Sequence, residues 1–128
     1  MKTKTNFIIF IIIIVIIIGG VGFSASRSDN SKIGKLDQFA QCINDSGAKF
    51  YGAFWCTHCQ NQKKLFGSSQ KLLPYIECST PDGGGQLPIC KDAGIDGYPT
   101  WTFADESLLS GEIPLDILAE KTRCSLPE

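Results

Sequence analysis

The chain has 128 residues, of which 43% are apolar and 20% charged, and its formal net charge is −1. That suffices for one modest domain, and the lack of a basic excess argues against a nucleic-acid partner. The apolar residues crowd toward one end, which divides the chain into a leader, 1–23, a tether, 24–31, and a domain, 32–128.

Phe7 to Phe23 is a run of seventeen residues without a charge, preceded by Lys2 and Lys4 and followed by Arg27. A helix of that length spans roughly 26 Å, close to the roughly 30 Å hydrocarbon core of a bilayer. The nine isoleucines between Ile8 and Ile18 leave no polar face, so the run is a poor core helix for a soluble domain. It predicts one N-terminal transmembrane helix, single-pass, with its lysines in the cytoplasm and the domain on the extracytoplasmic side. The alternative is a cleaved signal, since Gly22, Ser24, Ala25 and Ser26 suit a signal peptidase, and the domain would then be secreted. Both readings export the domain. An oxidising compartment permits disulfides among Cys42, Cys56, Cys59, Cys78, Cys90 and Cys124.

Ser24 to Ser31 is polar and serine-rich, the composition of a short tether. From Lys32 to Asp45, Leu36, Phe39, Ala40 and Ile43 recur at i, i+3, i+4 and i+7, which predicts an amphipathic helix ended by Gly47. Ala48 to Trp55 reads as a strand covered on both faces. Cys56-Thr57-His58-Cys59 follows, and then the helix-permissive stretch Gln60 to Phe66, closed by Gly67, so the cysteines fall at a helix N-terminus. A second strand is expected over Leu73 to Cys78, then a loop with the turn sequence Pro81-Asp82-Gly83, then a short helix from Ile89 to Ala93. Thr100 to Ala104 and Ser107 to Ser110 form a hairpin around Asp105-Glu106, and Pro114 opens a last helix carrying Leu115, Ile117, Leu118 and Ala119. The order predicts an α/β domain, a mixed sheet with helices on both faces.

A C-x-x-C pair at a helix N-terminus suits dithiol chemistry, because one helical turn brings the two sulfurs within bonding reach. The unpaired N–H groups and the positive end of the helix dipole favour the thiolate of Cys56, the species that attacks a disulfide. Cys59, one turn inside, would resolve the mixed disulfide. A protonated His58 would further stabilise the thiolate and hence the reduced pair, making the oxidised form a better disulfide donor. A zinc site built from Cys56, Cys59, Cys78 and Cys90 has poor spacing, and no metal is expected.

Phe54-Trp55-Cys56-Thr57-His58-Cys59, with Tyr98-Pro99-Thr100 further on, resembles the thioredoxin superfamily. More closely, Tyr51-Gly52-Ala53-Phe54-Trp55-Cys56, Tyr75-Ile76-Glu77-Cys78 and Gly97-Tyr98-Pro99-Thr100-Trp101 resemble the thioredoxin-like domain associated with vitamin K epoxide reductase homologues. The resemblance implies a thioredoxin-like fold in which Pro99 is cis and faces the cysteine pair. Tyr98 then presents main-chain groups to a substrate strand beside Thr100, and Trp55 and Trp101 flank the groove, a place that core packing also explains. Many thioredoxins carry a buried acid six residues before the first cysteine, where this chain has Phe50. Glu77 is a substitute for it or an exposed strand glutamate.

A bridge between Cys78 and Cys90 would staple the glycine-rich loop between them, and the alternative is a second redox pair, as in the domains this chain resembles. Cys42 and Cys124 lie on or beside the first and last helices, which in thioredoxin-like folds commonly cover opposite faces, so only parity pairs them. The sequence thus reads as a membrane-tethered extracytoplasmic thiol-disulfide oxidoreductase acting on the thiols or disulfides of substrate proteins. Its cysteines are the redox centre, so no cofactor is expected. The resemblance implies a quinone-linked membrane oxidase as the partner that reoxidises it. A reductase or isomerase, and a binding module with purely structural cysteines, are the competing readings.

Overall fold

The computed structural model of the chain describes residues 34–128. The leader, the tether and the start of the predicted first helix lie outside the described residues, and with them the expected transmembrane helix. Among the described residues no helix is long and apolar enough to cross a membrane.

Strand β1, Lys49–Gly52, lies inside a four-stranded mixed sheet. It pairs in parallel with β2, Tyr75–Glu77, so that Phe50 stands opposite Tyr75 and Gly52 opposite Glu77. On its other side it pairs antiparallel with β3, Thr100–Thr102, with Phe50 opposite Trp101. The predicted hairpin carries the sheet to β4, Leu108–Ser110, and in its turn Glu106 takes a positive φ of 62° while the Asp105 carboxylate accepts the Ser107 N–H at 3.0 Å. Strand β1 stops short of the expected Trp55 because the Ala53 carbonyl accepts the Cys56 N–H at 3.0 Å, which turns the chain into the next helix.

Helix α1 spans Asp37–Asp45; of the predicted start, Gly34 to Leu36 form a turn in which Gly34 donates its N–H to the Asp37 carboxylate. Its end needs Gly47, whose φ of 83° disfavours any residue with a Cβ. Helix α2, Thr57–Lys64, carries the second cysteine of the pair. A 3-10 turn over Gly67–Leu72 follows, in a stretch given no structure by periodicity. Helix α3, Pro88–Asp92, is short, and α4, Leu115–Thr122, starts directly after Pro114 as its fixed φ allows.

Alternation along β1 separates two cores. Phe50 stacks on Trp101 with ring centroids 4.7 Å apart, and this cluster takes in Phe39 and Ile43 of α1, Cys59 of α2 and Leu118 of α4. Tyr51, the next residue along the strand, belongs to the second cluster with Cys78, Cys90 and Ile95. Burying Trp101, Phe39, Phe50 and Phe66 stabilises the fold by roughly 1.5–3 kcal/mol for each ring. Helices on both sides of the sheet are as expected, with α3 on the Tyr51 side. The first and last helices, however, do not cover opposite faces. The apolar stripes of α1 and α4 complete the same core around Phe50, and a disulfide joins Cys42 to Cys124 across them with S–S 2.07 Å.

Candidate active site

Cys56 is the N-cap of α2. Its backbone is extended, and its Sγ accepts the N–H of Cys59 at 3.3 Å, so one of the helix's orphan donors points at the sulfur. The last turn carries Lys63 and Lys64, which complement the opposite end of the dipole. Cys56 retains 7% of its surface and Cys59 none, and both are free thiols. The Cys56 thiol donates to the Tyr98 carbonyl at 3.7 Å, and the Tyr98-Pro99 peptide is cis. Residues 42 positions apart in sequence therefore meet at one sulfur.

A shallow depression of about 570 Å³ opens beside that sulfur, lined by Trp55, Cys56, Thr57, His58, Asp96, Gly97 and Tyr98. The Trp55 indole is 55% exposed, donates to Ser79 Oγ at 2.8 Å and meets the Tyr98 ring edge-on at 6.1 Å. Not every expected residue reaches this opening. Thr100 is buried in β3, where its hydroxyl donates to the Gly97 carbonyl at 2.9 Å and meets Ser110 Oγ at 3.1 Å. Pro99 is buried, and Trp101 is fully inside the core and does not flank the groove, because its ring is stacked on Phe50.

His58 is exposed, with Nδ1 2.7 Å from Glu112 Oε1, and the Asn61 amide donates to the same oxygen at 3.1 Å. The bond to His58, followed by the one to Asn61, holds the Glu112 carboxyl below its usual range. Gln62 anchors the backbone of the residue that follows Glu112. It is fully buried, donates to the Ile113 carbonyl at 3.0 Å and accepts the Ile113 N–H at 2.6 Å, tying α2 to the segment that bears Glu112. Sequence reasoning missed both Glu112 and Gln62, since partners 51 to 54 residues apart leave no local pattern.

Burial, and then the hydrogen bond with Cys56, pushes the Cys59 thiol up to about 12. Its Sγ lies against Gly52. A Cβ at that glycine would stand 3.0 Å from the sulfur and 2.8 Å from Tyr75 Cε2, so the strand can approach only without a side chain. Phe50 is fully buried, which leaves no acid at its position. Glu77 is half-buried and well bonded: Oε1 accepts the N–H groups of Phe54 at 3.2 Å and Ser79 at 2.8 Å, and Oε2 accepts the Tyr75 hydroxyl at 2.8 Å. Burial, then that bond to Glu77, holds the Tyr75 phenol proton well above its ordinary range.

Cys78 and Cys90 are joined, S–S 2.01 Å, and both are fully buried in the second core. Their sulfurs are bonded to each other and not to a shared metal ion.

A free dithiol at a helix N-terminus, an X-Pro carbonyl facing its first sulfur and a four-stranded mixed sheet beneath fit the thioredoxin-like class. Over 94 residues the chain is 50% identical to the thiol-disulfide oxidoreductase LTO1 of Arabidopsis thaliana. The match covers 70% of this chain and 24% of that protein, so the chain matches about a quarter of the relative's length. No family model matches the chain.

Proposed function

We propose that the domain is a thiol-disulfide oxidoreductase in which Cys56 exchanges with substrate and Cys59 resolves. The observation that carries this reading is the asymmetry of the pair: Cys56 borders the depression and caps the helix, while Cys59 is sealed one turn inside. In the donating direction a substrate thiolate attacks Cys56 Sγ, the Cys56–Cys59 bond breaks, and Cys59 leaves as a thiolate that takes up a proton. A second substrate thiolate then displaces Cys56 from the mixed disulfide. The substrate is oxidised by two electrons and the pair is left as two thiols. The N–H of Cys59 stabilises negative charge on Cys56 Sγ each time it forms. His58, Trp55 and Tyr98 border the sulfur where a substrate chain would lie, and the Tyr98 carbonyl beside cis Pro99 is an acceptor for its backbone.

The apolar run Phe7 to Phe23 supports a membrane tether with the domain on the extracytoplasmic side, or secretion if the leader is cleaved. Resemblance to the domain associated with vitamin K epoxide reductase homologues supports a quinone-linked membrane oxidase as the partner that reoxidises the pair. Substrates would be the thiols or disulfides of other exported proteins. One observation favours the opposite electron flow, reduction or isomerisation: Glu112 sits on His58 and offsets the imidazolium charge that would make the pair strongly oxidising.

Equilibration of the pair with glutathione, read by alkylation of Cys56 and Cys59, tests the reading. A reduction potential toward the oxidising end, about −120 to −180 mV, is the expected result for a donor. A value near that of a cytosolic reductant, about −270 mV, would reverse the direction, and a pair that never equilibrates would end the enzymatic reading.

A further inference from the structure

Cys59 presents a chemical difficulty. It is fully buried, its thiol is held up to about 12, and in either direction of exchange it must pass through a thiolate. Glu77 does not relieve this directly. Its oxygens are engaged by Phe54, Ser79 and Tyr75, and among the described residues no hydrogen bond joins it to Cys59. The acid that would otherwise lie beneath the pair is replaced by Phe50.

Lys63 lies one helical turn beyond Cys59, on the same face of α2, because residues at i and i+4 are neighbours. Its Nζ sits 3.3 Å from the centroid of the Tyr75 ring. The edge of that ring and Cys59 Sγ together cover Gly52, at 2.8 and 3.0 Å from where a Cβ would stand. The ammonium group is therefore folded over the ring that borders Cys59, when it could instead extend into water. Tyr75 donates its hydroxyl to the Glu77 carboxylate at 2.8 Å, which places an anion at the tip of the same ring.

We propose that Lys63 is the positioning residue that makes Cys59 ionisable, its cation held over Tyr75 and balanced by the Glu77 carboxylate. Resting on the exchange reading above, this gives a cation on the active-site helix the task of stabilising the Cys59 thiolate by charge, with no part in accepting its proton. The groups around Cys59 are few. Helix α2 supplies Cys56 and Lys63, β2 supplies Tyr75 with Glu77 bonded behind it, β1 turns Phe50 and Gly52 to this side, and the backbone of Ala53 bonds the sulfur. Burial lowers the Lys63 proton affinity while Glu77 raises it; the Ala53 backbone, and after it the Lys63 charge, pull the Cys59 thiol downward against desolvation.

In the resolving step the Cys59 proton leaves to solvent, and the thiolate attacks Cys56 Sγ. The Cys56–Cys59 bond forms, the bond from Cys56 to the substrate sulfur breaks, and that sulfur departs with the electron pair. Lys63 stabilises the charge on Cys59 before the bond forms.

The reduced protein and an aromatic disulfide such as 5,5′-dithiobis(2-nitrobenzoate) separate the steps, because attack by Cys56 releases one coloured thiolate and resolution by Cys59 a second. In Lys63→Met the second release is expected to slow relative to the first by about threefold for each unit by which the thiol rises. A lost thiolate population, tenfold per unit, is partly offset by greater intrinsic nucleophilicity. The pH profile of that second release should move upward by about one unit, as expected for loss of a nearby opposite charge. Lys63→Arg, which keeps the cation, should retain the wild-type profile. An unmoved profile in folded Lys63→Met, or a Lys63→Arg profile displaced as far as that of Lys63→Met, would overturn the assignment. A wild-type protein that releases no thiolate at all would overturn the exchange reading and this inference with it.

Discussion

Two cysteine pairs in this domain share one fold and meet different fates. Cys78 and Cys90 lie on either side of a glycine-rich loop, fully buried beside Tyr51 and Ile95, and are bonded to each other. Cys56 and Cys59 straddle the start of a helix, and the first borders an open depression beneath Trp55 and Tyr98. Exchange needs a sulfur that a second sulfur can reach and an environment that tolerates its negative charge. Only the pair at α2 meets both conditions. The buried pair closes a loop and leaves no surface for a second sulfur to reach, which favours the staple over a second redox relay.

That contrast is sharpened first by removing the bonded pairs. On the loop-entropy model, replacing both Cys42 and Cys124 with alanine should cost about 4.5 kcal/mol, since the bridge spans 82 residues. The same change at Cys78 and Cys90, 12 residues apart, should cost about 3 kcal/mol. Urea denaturation measures both, and the second variant should keep its exchange rate under conditions where it remains folded. Loss of exchange in a folded Cys78→Ala, Cys90→Ala protein would make the buried pair part of the redox path.

The smallest expected effect concerns Glu112. Its carboxyl is held below the usual range by His58, so the pairing stabilises the folded state above the ordinary carboxylate range. That contribution is lost as pH falls through the lowered value. Glu112→Gln should therefore differ slightly from wild type in urea midpoint at neutral pH, and the two should converge in acid. Both groups are largely exposed, so added salt should also shrink the difference. A gap that widens in acid would contradict the pairing.

Periodicity and turn chemistry made much of this molecule legible. The hairpin, the covered strand, the cysteines at a helix start and the short helix after the loop can all be read from residues close in sequence. The cis bond before Pro99, and the Tyr98 carbonyl beside it that meets Cys56, are legible only through resemblance. What escaped was set by distant partners. Nothing near Glu112 announces that Gln62 clasps the next residue, and no local pattern shows Lys63 folding onto Tyr75. The expectation that α1 and α4 cover opposite faces rests on the resemblance, and no local pattern corrects it, because an amphipathic stripe says that a helix is covered but not which side of a sheet covers it. Gly52 is the instructive case: in the sequence it reads as one more strand residue, and in the fold it is the gap that lets Cys59 and Tyr75 close on the sheet.

The most direct test of the division of labour between the two sulfurs is to trap the intermediate. Cys59→Ser, mixed with a disulfide-containing peptide and analysed by mass spectrometry after acid quench, should accumulate a mixed disulfide on Cys56 that wild type resolves. An adduct on another cysteine, or none on Cys56 in a folded variant, would contradict the account.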